Sequence, residues 1–192
     1  MAAMSGRPVV DPPAPPYGAD VGRRLGEMMP PGVPPMLLFR TVVRNLPMAE
    51  AMGPWGGYEL SRRLSLSMRD REIVIDRTCA RCGCEYEWGV HVVFFVERVG
   101  LTGQQVTSLT HGGARDTCWS DGRDRVLIEA VDALHDTART DDRLRGRLAG
   151  VSADDELLDL LLLSGWYHAI SFVANGVELE LGDGAPRFTD VR

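Results

Sequence analysis

Lysine is missing from all 192 residues, and each of the 21 basic side chains is an arginine. That absence removes Schiff-base chemistry and any lysine general base, leaving His, Asp, Glu, Cys and Tyr to carry a reaction. Basic runs are missing as well. With a net charge of −6 and a pI near 5.2, the chain offers nothing to neutralise a phosphate backbone, so nucleic acid is not an expected partner. The opening "MAAMSGRPVVDPPAPP" lacks the basic start and apolar core of a secretory signal, and a cytoplasmic location is expected. In that reducing compartment the four cysteines are expected as thiols, three of them crowded into "CARCGC". No strand-like alternation and no internal repeat at a fixed period occurs.

What the sequence does contain is a core's worth of apolar residues, 44%, with 25% charged, which fits one soluble globular domain and a tail. Nine of the twelve prolines precede Met36. Residues 1–35 are therefore expected as an extended arm with a short helix near Val21 to Met29. In "LSMRDREIVIDRTCARCG" Ser67 reads as an N-cap with Asp70 three residues on and Gly83 as a stop, predicting a helix from Met68 to Cys82. A mostly buried helix follows from Cys84 toward Gly100. Thr102 with Gln105 caps the next, Ser120 opens a longer one, and Ser152 with Asp155 caps the last. That last helix is apolar on nearly every side and ends at Asn175-Gly176, read as a left-handed cap. Asp159 and His168 within it count against a membrane span, because a charge at the bilayer centre costs about 3 kcal/mol. A core or oligomer-interface helix is expected, and the fold class is all-α.

The chemistry concentrates in "CEYEWGVH". At about 100° per residue, Cys84, Glu87 and His91 fall on one helix face within about 60°. Cys84 stands at the helix N-terminus, where the macrodipole favours a thiolate and a lowered pKa. Glu72, on the preceding helix, is placed to return over His91 and fix its tautomer. Trp88, Val92 and Phe94 would desolvate the group. Arg77 or Arg81 is the cation expected to reach inward toward a substrate carboxylate.

These residues carry a resemblance. Over roughly Leu37 to Pro186, with "REIVIDRTCARCGCEYEWGVHVVFFVERVGL" at its centre, the chain resembles the carboxymuconolactone decarboxylase and alkylhydroperoxidase D-like superfamily of all-helical oligomeric proteins. Its peroxidase branch has a glutamate, a Cys-x-x-Cys twelve residues later, and a histidine four past the second cysteine. Glu72, Cys84 and His91 match those places, but Glu87 replaces the second cysteine and cannot close a disulfide. The decarboxylase branch carries a histidine where Cys84 stands, with Glu and His at the Glu87 and His91 places. The signature is mixed and closer to acid–base chemistry.

The resemblance implies an all-α helical bundle over residues 36–186 with a tail at 187–192, and a homo-oligomer, trimer or hexamer. It implies Glu72, Cys84, Glu87 and His91 as catalytic residues, and Trp88, Tyr167 and His168 are candidates to line a small, largely apolar substrate pocket. The expected function is decarboxylation, isomerisation or ring chemistry on a small carboxylated or carbonyl-bearing molecule, with no cofactor, no metal and no membrane. Two alternatives stand beside it. One is thiol peroxidase or reductase chemistry, with Cys79 or Cys82 resolving Cys84; the other is a non-enzymatic metabolite binder. Zinc on Cys79, Cys82, Cys84 and His91 lacks the ligand pairs on a turn that structural zinc uses. His135 reads as a surface residue, His111 as a loop residue without signal, and Cys118 as packing.

Overall fold

The computed structural model describes residues 9–182 and 184–192. The described residues form nine α-helices, one 3-10 turn and no strand. They divide into two compact units, one running through Ser61 with Val177–Leu179, the other comprising Arg62–Gly176 with Glu180–Arg192. The expected boundary near Met36 does not mark this division.

The first unit holds α1 (Ala19–Met28), α2 (Leu37–Val42) and α3 (Leu46–Glu59). Its core includes Leu25, Leu38, Val42 and Ala49. Arg24 threads into it and donates to the Ala49 carbonyl at 2.8 and 3.2 Å. A side chain on Gly53 would strike that guanidinium, so the close approach requires glycine there. The prolines do not make the whole segment a loose arm. Arg40 Nε donates to Pro13 O at 2.9 Å and Arg44 Nε to Asp11 O at 2.6 Å, holding the extended residues against α2.

The second unit is built around α4 (Met68–Arg81), which packs against α5 (Glu85–Phe95), α6 (Gly103–His111), α7 (Gly122–Thr137) and α9 (Asp154–Gly176). The small α8 (Asp142–Ala149) lies against α7 and α9. Ser67 caps α4 by accepting from Asp70 N, and Gly83, at φ +63°, turns the chain into α5. Every residue from Asp70 to Cys79 is buried, and five of them are acidic or basic. A helix so charged survives at the centre only when its ions are matched. Arg77 is: it holds Asp132 by two bonds of 2.7 and 2.9 Å and donates to the Leu109 and Gly112 carbonyls. Around α4 the core is built largely of apolar side chains, with Ile73, Ile75, Trp119, Leu127 and Leu163 fully enclosed.

Several boundaries differ from expectation. The capping box of Thr102 and Gln105 is present, but α7 is capped by Asp121, which accepts from Arg123 N, and not by Ser120. Ser152 caps nothing, its hydroxyl having no hydrogen bond; Glu156 accepts from Ala153 N at the start of α9. Gly176 is the last helical residue without a left-handed φ, and Asn175 instead donates to the Cys82 carbonyl. α5 stops at Phe95, five residues short of Gly100.

By length and composition α9 could cross a membrane. Its Leu160, Leu163, Tyr167 and Ile170 face is buried, however, and Asp159 is buried with it, accepting from Ser65 N at 2.7 Å and Ser65 Oγ at 2.5 Å. That packing accounts for one apolar side of the helix. The other side stays exposed, with Leu158, Leu161, Leu162 and Phe172 in a row.

Candidate active site

On α4, Glu72, Asp76 and Cys79 share one stripe, at offsets of four and seven. On α5, Glu87 and His91 share another, with Cys84 at its N-cap. Where the two stripes meet α9, five ionisable side chains and a phenol are enclosed: Glu72, Asp76, Cys84, Glu87, His91 and Tyr167 are each less than a tenth exposed.

A line of hydrogen bonds runs through this group. Arg71 clamps Glu72 Oε1 through Nη2 at 2.7 Å and Nε at 2.8 Å. Glu72 Oε2 meets His91 Nδ1 at 2.7 Å, and His91 Nε2 meets the Tyr167 hydroxyl at 2.9 Å. A carboxylate only accepts, so Nδ1 carries the proton, and in the singly protonated ring Nε2 is the atom left to accept from Tyr167. Phe95 stacks on the imidazole at 5.2 Å between ring centres, and Arg71 lies over the same Phe95 ring.

Burial alone pulls the His91 pKa down, but the hydrogen bond and charge of Glu72, backed by Glu87 and Asp76, leave it raised. Burial pushes the Glu87 carboxyl up, His91 opposing it only in part. Asp76 is pushed well above the carboxylate range by burial, with His91 lowering it and Glu72 adding to the rise. Tyr167 is held as a phenol, first by burial and then by Glu87. The expected thiolate at Cys84 is a correction. Burial raises its pKa and outweighs the amides of Glu87 and Tyr86, so enclosure overrides the helix terminus.

Three polar groups here have no hydrogen-bond partner: both oxygens of Asp76, Oε1 of Glu87 and the indole nitrogen of Trp88. Buried polar atoms are rarely left so, and each such group calls for a partner, a water or a role. Trp88 itself is covered by the C-terminal segment. Phe188 packs edge-on against it at 5.0 Å, its amide donates to Glu85 Oε1, and its carbonyl accepts from His111 Nε2. Gly89 lets this segment lie close, since a Cβ there would come within 3.1 Å of Pro186 O.

The structure thus brings Glu72, Glu87, His91 and Tyr167 together with Cys84 and Trp88. His168 is placed elsewhere: its ring meets His135 and the Ser164 carbonyl. Arg77 and Arg81 reach away as well, Arg77 to Asp132 and Arg81 to Asp136. Two members went unread in the sequence. Asp76 follows Glu72 by four residues, a spacing that already puts it on the same face, and Arg71 gave no periodic signal. A polar cleft of about 590 Å³, lined by Asp116, Asp132 and Arg147 among others, lies at the α7–α8 side.

No family model and no curated relative matches the sequence. Solved structures do. The chain is similar to a protein of unknown function from Agrobacterium tumefaciens, described as a candidate AhpD antioxidant-defence protein, at 19% identity and TM-score 0.64, over 73% of this chain and 95% of that one. It is also similar to an uncharacterized peroxidase-related protein from Silicibacter sp. TM1040, at 17% identity and TM-score 0.76, over 98% and 99% of the two chains. At such identities the likeness is one of fold.

Proposed function

Because the chain has an AhpD-like, all-helical fold, we propose that it is an enzyme of general acid–base type acting on a small carbonyl-bearing or carboxylated molecule, a lyase or isomerase of carboxymuconolactone decarboxylase kind. The supporting observation is the line Glu72–His91–Tyr167, hydrogen-bonded at 2.7 and 2.9 Å and closed to water.

In this reading Tyr167 occupies the nitrogen that would otherwise face substrate, so proton abstraction runs as a relay. The Tyr167 oxygen takes a proton from the carbon beside the carbonyl while passing its own to His91 Nε2, and Glu72 holds the imidazolium that forms. Glu87, whose carboxyl burial pushes toward the protonated form, serves in this reading as the donor to the developing oxyanion. Trp88 supplies an indole N–H to orient the substrate. Cys84 packs beside these groups as a buried thiol. Access requires the cover over Trp88 to yield.

The thiol reading keeps one specific support: Cys79 and Cys84 are near neighbours, Cys84 N donating to Cys79 O at 2.8 Å, with every described cysteine free. Against it, Cys79, Cys82 and Cys84 are all pushed toward the protonated thiol, each by burial first, and a peroxidatic cysteine needs the thiolate. The two readings part on one experiment. Incubation with a carboxymuconolactone-type lactone is expected to give product, and stoichiometric peroxide to leave all four thiols titratable. Peroxide consumption with two thiols lost together, and no lactone turnover, overturns the proposal.

The exposed row on α9 is proposed as the surface through which copies of the chain assemble. In that arrangement Gly165 and Ala169 lie between Leu161 and Phe172 on the same stripe, permitting close approach.

A further inference from the structure

Outside the acid–base cluster, three helices bring two imidazoles and a thiol to one point. Cys82 ends α4, His135 lies in the last turn of α7, and His168 sits midway along α9. His135 Nδ1 is 3.0 Å from His168 Nε2 and 3.9 Å from Cys82 Sγ, and the ligand atoms of all three lie within 4.8 Å of one another. Each residue is half-buried, so the point is enclosed yet reachable.

We propose that Cys82, His135 and His168 bind one zinc-class divalent ion, with the fourth position left to solvent. Four features carry this.

The distances fit, to begin with. Tetrahedral zinc with bonds of about 2.0–2.1 Å to nitrogen and 2.3 Å to sulfur sets the ligand atoms about 3.3 Å (N to N) and 3.6 Å (S to N) apart. The His135–His168 and His135–Cys82 pairs, at 3.0 and 3.9 Å, bracket those values within a few tenths of an ångström, and the Cys82–His168 pair, within 4.8 Å, closes by rotation of the Cys82 side chain. The tautomer is also fixed from behind. His168 Nδ1 lies 2.8 Å from the Ser164 carbonyl, which can only accept, so Nε2 presents its lone pair to the cluster, the arrangement metal-bound histidines use. Three donor atoms, moreover, share too few protons. If His135 Nδ1–H serves His168, Cys82 Sγ receives nothing from either ring and has only the Ser171 hydroxyl beside it, whereas a cation engages all three donor atoms at once. Finally, two helix C-termini, those of α4 and α7, direct negative ends here, and the Asp132 and Asp136 carboxylates lie nearby, set against the Arg81 guanidinium that pairs with both.

Binding balances simply. The Cys82 thiol loses its proton to solvent, His135 carries its single proton on Nε2 in place of Nδ1, and His168 keeps Nδ1–H. A cysteine and two histidines form a borderline-soft set suited to zinc or cobalt, not to magnesium or calcium. The sequence hides it, because the ligands lie 53 and 33 residues apart.

The test is titration of the metal-free full chain with Co²⁺ and then Zn²⁺. One Co²⁺ per chain is expected, with a thiolate-to-metal charge-transfer band and tetrahedral ligand-field bands, both erased by one equivalent of Zn²⁺. Cys82→Ser should abolish the charge-transfer band, and His135→Gln and His168→Gln should each weaken binding by more than about a hundredfold, above the 10–100-fold typical of outer-shell losses. Cys84→Ser and Cys118→Ser should keep the band, and circular dichroism on each variant checks that it is folded. No stoichiometric binding in the wild-type chain, or a band that survives in His135→Gln and vanishes in Cys84→Ser, overturns the site.

Discussion

Asp76 is enclosed on α4 with neither oxygen bonded, one turn from a glutamate whose every contact is matched. Its raised pKa means the folded chain holds a proton that the unfolded chain releases, so stability is retained at acid pH and falls as pH rises past the ordinary carboxylate value of about 3.9. His91, also raised, works in the same direction: its contribution is complete below about 6.5 and is lost as pH climbs through the folded value. Asp76→Asn removes the first dependence. Urea unfolding should show the variant matching the wild type near pH 3 and exceeding it increasingly through pH 7; a constant gap would show that Asp76 does not titrate across folding. At this scale much was legible. Offsets of three and seven put Cys84, Glu87 and His91 on one stripe, and Glu72 lay within reach. The pKa of Cys84 was not, because a helix-end argument carries no information about how deeply the end is buried, nor was the occupation of His91 Nε2 by a residue 76 positions away.

Helix ends repeat the lesson at the next scale. Ser67, Gly83 and the Thr102–Gln105 box were readable because side chain and backbone there interact within four residues. Ser120 and Ser152 misled, since an aspartate next to the first and a glutamate after the second took the capping role. Ala138 ends α7 in the left-handed region at φ 54°, where a Cβ costs about 1–2 kcal/mol. Ala138→Gly should recover part of that, net of the greater freedom of glycine in the unfolded chain, and stabilise by about 0.5–1 kcal/mol. Thermal and urea unfolding measure it directly. An unchanged or lower midpoint would mean the strain is relieved elsewhere.

For the whole molecule, an all-helical class followed from periodicity and the absence of alternation, whereas the division at Ser61 did not, because proline content does not report whether a segment is held by arginines. α9, expected as a core or oligomer-interface helix, is buried on one face and apolar on the other, which is why it shows no amphipathic signal. Leu158, Leu162 and Phe172 are 61, 50 and 70% exposed, a contiguous apolar surface of the kind monomers rarely leave bare. Light scattering should therefore find an oligomer in the wild-type chain and a shift to monomer in Leu161→Glu with Leu162→Glu; a monomeric wild type removes the assembly surface. The proposed reaction needs the His91 imidazole and not the Cys84 thiol. Its most direct test is turnover of a carboxymuconolactone-type lactone by two folded variants side by side: His91→Asn should lose about 10²–10⁴-fold in kcat while Cys84→Ser keeps most of its rate, whereas abolition in Cys84→Ser with His91→Asn still active would contradict it.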